Sequence, residues 1–196
     1  MHRPIACLLG VSFFCLSAAT AVVAQQEEGQ KTESASSPLV KELAPLVPYL
    51  GDWEIDAKWS SGEALWARNE YRPTMKGRFV EVKTFAKDGD GEPYHRYTTI
   101  YGYDAKAEKI MAHGFTYDGS TSQIPVAVES FEGDDQAISS SWKPDPSADA
   151  EIRQIVWTKN DGAYGWNVYM RSSPEADYQS VMEGTWKRVP ATATAK

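Results

Sequence analysis

Hydrophobic positions change their period once along this chain. Leu39, Val40, Leu43, Leu46 and Val47 recur at helical spacing behind Ser37-Pro38, a pair suited to a helix cap and first turn. Pro45 interrupts the run, so the pattern predicts a short helix that covers something apolar. From Trp53 onward the period is two. Trp53, Ile55, Ala57 and Trp59 alternate with Glu54, Asp56 and Lys58, the signature of a half-buried strand. Further segments follow at 64–71, 79–86, 94–103, 109–117, 123–132, 137–142, 151–159, 166–172 and 178–189. Turn chemistry separates nearly every pair: Ser61-Gly62, Asp88-Gly89-Asp90-Gly91, Asp118-Gly119, Gly133-Asp134-Asp135 and Asn160-Asp161-Gly162.

Ten short strands joined by short turns predict an all-β chain with neighbours pairing up and down. Closure into an antiparallel barrel removes the sheet edges that would otherwise pair with other chains.

The first 24 residues do not belong to this pattern. Arg3 is their one charged side chain, and an uncharged apolar stretch runs from Pro4 to small residues ending in Val22-Val23-Ala24. That is a secretory signal peptide, with cleavage expected after Ala24 and a secreted or periplasmic destination. Both cysteines, Cys7 and Cys15, lie inside it, so the mature chain is expected to stand on its core without a disulfide. Residues 25–37 are polar and read as a disordered linker, and 190–196 as a disordered tail, leaving 38–189 as the folded domain.

Composition narrows the function. The chain has 27 acidic and 20 basic residues, a net charge of -7, which excludes the basic footprint of a nucleic-acid binder. No apolar run after residue 24 is long enough for a membrane span, so the mature chain has no integral membrane segment. Nothing in the pattern specifies an oligomeric state.

Three features together resemble the calycin superfamily of lipocalin-like barrels. A short helix precedes the first strand, that strand opens with Gly51-Asp52-Trp53 (a G-x-W motif), and the last strand carries Trp186-Lys187-Arg188. The chain is also similar to a group of secreted bacterial lipocalin-like proteins without assigned activity. That similarity runs through Leu50-Gly51-Asp52-Trp53, Met75-Lys76-Gly77-Arg78-Phe79-Val80, Tyr101-Gly102-Tyr103-Asp104 and Phe115-Thr116-Tyr117-Asp118-Gly119. The resemblance implies an up-and-down barrel of about ten strands with Arg188 stacked on Trp53, and with Lys187 facing the other way. It implies no activity, because one fold serves many functions.

Chemistry is sparse. The folded unit has no Cys, two His (His95 and His113) and no G-x-S-x-G elbow, so no catalytic residue is assigned. Two His fall short of a zinc set, and Asp88-Gly89-Asp90-Gly91-Glu92 reads as a hairpin turn rather than a calcium loop, so no metal or cofactor is expected. Aromatic richness remains: all seven Trp and all ten Tyr lie in the folded unit. Strand 94–103 places His95, Tyr97, Tyr101 and Tyr103 on one face, and strand 109–117 places Met111, His113, Phe115 and Tyr117 on another. The expected site is an interior pocket for a small, partly apolar or amphipathic ligand, lined by Trp66, Tyr97, Tyr101, His113 and Trp142, with Arg68 available to an anionic group. In a negatively charged protein a neutral ligand fits better. Two other readings stand beside it: a filled structural or interaction barrel, and an enzyme of unknown reaction.

Overall fold

The alternation becomes ten strands in a computed structural model that describes residues 39–190. They are β1 (Gly51–Lys58), β2 (Ala64–Thr74), β3 (Phe79–Ala86), β4 (Tyr94–Asp104) and β5 (Lys109–Thr116), then β6 (Thr121–Phe131), β7 (Asp134–Trp142), β8 (Glu151–Thr158), β9 (Tyr164–Arg171) and β10 (Gln179–Arg188). Each pairs antiparallel with its sequence neighbours, and β1 closes on β10, so the sheet is a barrel. Closure is narrow, with Trp53 opposite Arg188 and Glu54 opposite Lys187. It is extended by the Val189 amide donating to the Asp52 carbonyl at one end and the Ser60 amide donating to the Val181 carbonyl at the other. The expected signal peptide, the linker, Ser37-Pro38 and tail residues 191–196 lie outside the described residues. No described helix is long and apolar enough to cross a membrane.

The expected helix takes a different form. Lys41–Tyr49 is a 3₁₀ segment that contains Pro45 and Pro48. In an α-helix over these residues Pro45 and Pro48 would delete two of the few i→i−4 bonds, and their rings would clash with the preceding turn. A 3₁₀ helix repeats every three residues. Leu43, Leu46 and Tyr49 therefore share one face, and all three are sealed at 0, 0 and 1 % exposure. Val47, which helical periodicity places in the core, is 51 % exposed.

Register decides which face of each strand looks inward. Trp53, Ile55 and Ala57 oppose Asn69, Ala67 and Leu65, and this set points into the barrel. Glu54, Asp52 and Asp56 oppose Arg68, Glu70 and Trp66 on the outside. The outer face of β1–β3 carries ion pairs, Arg68–Glu70 at 3.0 Å and Arg72–Asp52, each of small worth in water. Across β7–β9 the outer face instead holds a satellite cluster of Ala137, Ile155 and Trp157 packed with Phe131 and Tyr169. Trp157 lies flat on Gly165, where an added Cβ would come within 2.2 Å of the indole.

Candidate functional site: the open lumen

One end of the barrel holds a plug, with a cavity of ≈ 570 Å³ beside it lined by Glu42, Pro45, Tyr103, Ile110, Val126 and Ser140. The 3₁₀ segment enters there, with the Val40 amide donating to the Gly77 carbonyl. Leu43, Leu46 and Tyr49 join Trp53, Ile55, Tyr71, Val80, Ile110, Tyr164 and Trp186 in one buried cluster. Tyr164 is its centre. Its ring meets Trp53 at 4.8 Å and Tyr49 at 5.2 Å edge-on, and stacks on Trp186 at 5.6 Å. Such pairs add about 0.5–1.5 kcal/mol each beyond their buried area.

The polar atoms of this floor have partners. Trp53 Nε1 donates to the Tyr49 carbonyl at 2.6 Å, and the Tyr49 hydroxyl donates to the Val156 carbonyl at 3.1 Å. Thr84 Oγ1 donates to Asn69 Oδ1 at 2.7 Å, and Asn69 Nδ2 reaches the Tyr164 hydroxyl at 3.4 Å. Arg188 covers Trp53 with its guanidinium 4.4 Å from the ring and donates to the Leu50 carbonyl at 3.2 Å, while Lys187 stands opposite Glu54 in the ladder on the outer face. Gly51 is required beneath it: its φ is +120°, and an added Cβ would stand 2.6 Å from Arg188 Nη1.

Toward the other end the inward faces change character. Leu65, Tyr97, Thr99, Tyr101, Ile124, Trp142, Ile152, Gln154 and Trp166 all point inward by register, yet all remain half-buried. These inward-pointing side chains keep part of their surface accessible. Ten strands make a wider barrel than the eight-stranded ones that already hold a small ligand. Glu81, Lys83, Glu129, Arg153 and Glu183 all take outward positions. Gln154 is clamped, with Nε2 donating to Ser140 Oγ at 2.9 Å and Oε1 accepting from Trp166 Nε1 at 3.3 Å. Burial raises the pKa of Tyr97 and Tyr101, so both phenols stay neutral donors.

Of the six residues read from the sequence as lining, Tyr97, Tyr101 and Trp142 point inward by register, while Trp66, Arg68 and His113 face outward. Trp66 lies under Lys87 Nζ at 4.5 Å, beside an outer groove of ≈ 470 Å³ with Asp56, Leu65 and Asp90. Arg68 is tied to Glu70, and its Nε is sealed without a partner. His113 stands between Ile100 and Gln123 on the outer face. His95 does not share the face of Tyr97. A β-bulge shifts the register between Thr84–Tyr97 and Phe85–His95, which turns His95 outward against Phe85 at 5.4 Å.

The residues that sequence reasoning did not single out are Trp166, Gln154, Thr99 and Ser140. Trp166 alternates with Tyr164 and Val168, and Gln154 with Ile152 and Val156, so a period-two count on β8 and β9 carries their signal. Compared with known proteins, the sequence matches no family model and no curated protein.

Proposed function

We propose that this protein is a secreted or periplasmic lipocalin-like carrier that holds a small, partly apolar molecule in the open half of its barrel. The observation that supports it is the gradient along the inward face: sealed aromatic packing at one end, half-buried and uncharged Tyr, Trp, Thr and Gln side chains at the other. Apolar walls with a few placed polar groups are what a small-molecule site requires. The stack of Arg188 on Trp53 beside Gly51 supports the calycin-like reading, since it gives the G-x-W residues a common structural task at the closed end.

Native mass spectrometry on protein exported by a host tests this, run beside the same sample denatured. The expected result is a polypeptide mass of residues 25–196 with an excess that disappears on denaturation. A bare mass, repeated after incubation with lipid and metabolite extracts, overturns the carrier reading.

A second reading rests on the outside of the barrel. Phe115 and Tyr117 are 49 and 71 % exposed and continue a row with Ile100, Met111 and His113, a surface that suits an interaction domain with a filled barrel. A bare mass in the same experiment favours this reading.

A further inference from the structure

The 3₁₀ plug does not fill its whole end of the barrel. Leu43, Leu46 and Tyr49 form the row that packs into the core. Three-residue periodicity puts Glu42 and Pro45 on a neighbouring row, and both line the cavity of ≈ 570 Å³ beside the plug. The barrel side of this cleft is one row of directly opposed residues across four strands: Tyr103 on β4, Ile110 on β5, Val126 on β6 and Ser140 on β7. Val128, two residues beyond Val126, points the same way and lines the cleft too. Exposure is graded along this surface. Ile110, Val126 and Ser140 are buried, while Tyr103 and Val128 are 38 and 42 % exposed despite their inward register. Large apolar side chains that point into a barrel and still meet solvent mark space that the plug leaves unfilled.

The polar groups give this cleft a sign. At its base Ser140 Oγ accepts from Gln154 Nε2, and among the described residues its own proton has no acceptor. Glu42 lines the cleft from the plug, and Glu108 and Lys109 line it from the turn between β4 and β5. None of these three charges takes part in an ion pair among the described residues. Lys109 alternates with the inward Ile110 and so takes an outward position. Carboxylates therefore outnumber cations around the mouth, in a chain of net charge -7. The ring of Tyr103 adds a second attraction for a cation, because an aromatic face is negative.

We propose that this cleft binds a small amphiphilic amine, its apolar body against Pro45, Ile110, Val126 and Val128 and its ammonium at the mouth, met by Glu42 and the Tyr103 ring. The Ser140 hydroxyl is left to donate to an acceptor on that body. The site goes beyond the carrier reading and is independent of it, since it lies at the plugged end and shares no lining residue with Tyr97, Tyr101 and Trp142. It involves no covalent step.

Three probes with one body and different heads test this: phenylbutylamine, phenylbutanol and phenylbutyrate. Each is titrated into the mature protein at neutral pH and followed by amide chemical shifts. The amine should bind most tightly, with shifts gathered at Ile110, Val126 and Val128. Glu42→Gln, at an exposed position, should weaken the amine about fivefold, the upper range for an exposed charge pair, and leave the alcohol unchanged. Added salt should weaken the amine alone. Val128→Trp fills the mouth and should abolish binding of all three at an unchanged melting temperature. Phenylbutyrate binding as tightly as the amine, or Glu42→Gln acting equally on amine and alcohol, would overturn the amine assignment. The absence of any shift at the cleft would overturn the site. Shifts gathered at Tyr97 and Trp142 instead would overturn it while supporting the carrier reading.

Discussion

The two ends of this barrel are built from the same residue types and behave differently. At the plugged end Tyr49, Trp53, Tyr71, Tyr164 and Trp186 are buried, with the Trp53 indole and the Tyr49 hydroxyl donating to carbonyls and the Tyr164 hydroxyl accepting from Asn69. At the other end Tyr97, Tyr101, Trp142 and Trp166 point just as squarely inward, but among the described residues no segment lies over them and their surfaces stay partly accessible. Aromatic content therefore does not distinguish core from site. The difference is made by one 3₁₀ segment that fills one end and leaves the other. Dispersion and desolvation at the plugged end stabilise the fold; the same side chains left partly accessible are the ones proposed to meet a ligand.

Substitutions that exchange the two environments test this contrast most severely. Trp53→Ala removes a sealed indole, the platform of Arg188 and the donor to Tyr49, and should cost about 3–5 kcal/mol. Trp142→Ala should cost no more than about 1 kcal/mol, since its ring already meets water, yet should abolish retention of the small molecule. Denaturant midpoints at constant m-value check both. Equal losses of stability would mean that the open half is a core like the other.

The buried phenols give the next largest effect. Burial raises the pKa of Tyr49, Tyr71, Tyr97, Tyr101 and Tyr164 above that of a free phenol. A group whose folded pKa is raised contributes stability in full below its unfolded value, about 10 for Tyr, and loses it as pH rises toward the folded value. Stability should hold to about pH 10 and then fall steadily, with phenolate absorbance rising together with unfolding. Phenolate signal from Tyr49, Tyr71 or Tyr164 appearing before unfolding would mean that the plugged end opens to solvent while the barrel stays folded.

The smallest effect belongs to a hairpin at the open rim. The Asp118 carboxylate accepts from Thr116 Oγ1 at 2.6 Å and from the Ser120 amide at 2.9 Å, which holds its pKa down to about 2. Its contribution is present above the unfolded value of about 4 and is lost as pH falls toward 2. Asp118→Asn should flatten that acid limb slightly and leave ligand retention intact. A loss of retention would make the rim hairpin part of the site.

Much of the fold is legible along the chain, because a strand is a local pattern and a turn is a local chemistry. The ten segments, their order and most of their turns follow from alternation punctuated by Gly, Asp, Asn and Pro. The strand limits move by a few residues: β2 runs to Thr74 past Pro73, and β7 starts at Asp134 rather than at residue 137. Pro73 is tolerated near the end of its strand. The N-terminal segment reads less well, since Leu43 and Leu46 suit either helical period, and only the positions of Pro45 and Pro48 against the barrel floor select the tighter one.

Of the six residues read as lining, three point inward and three outward, for a reason of symmetry. Alternation sorts each strand into two faces without saying which is inside. On β5 the richer face, with Met111, His113, Phe115 and Tyr117, lies outward, and the inner face carries Ile110, Ala112 and Gly114. On β2 the face with Trp66 and Arg68 is outside because Trp53 and Ile55, which must lie over the plug, pair with Asn69 and Ala67. On β4 a single bulge separates His95 from Tyr97. The sequence by itself determined the strands, their up-and-down order and the pairs of faces, all of which depend on neighbours within a few residues. Only the tertiary structure decided which faces point inward and which end is plugged. Those are consequences of register and closure, set where distant strands meet.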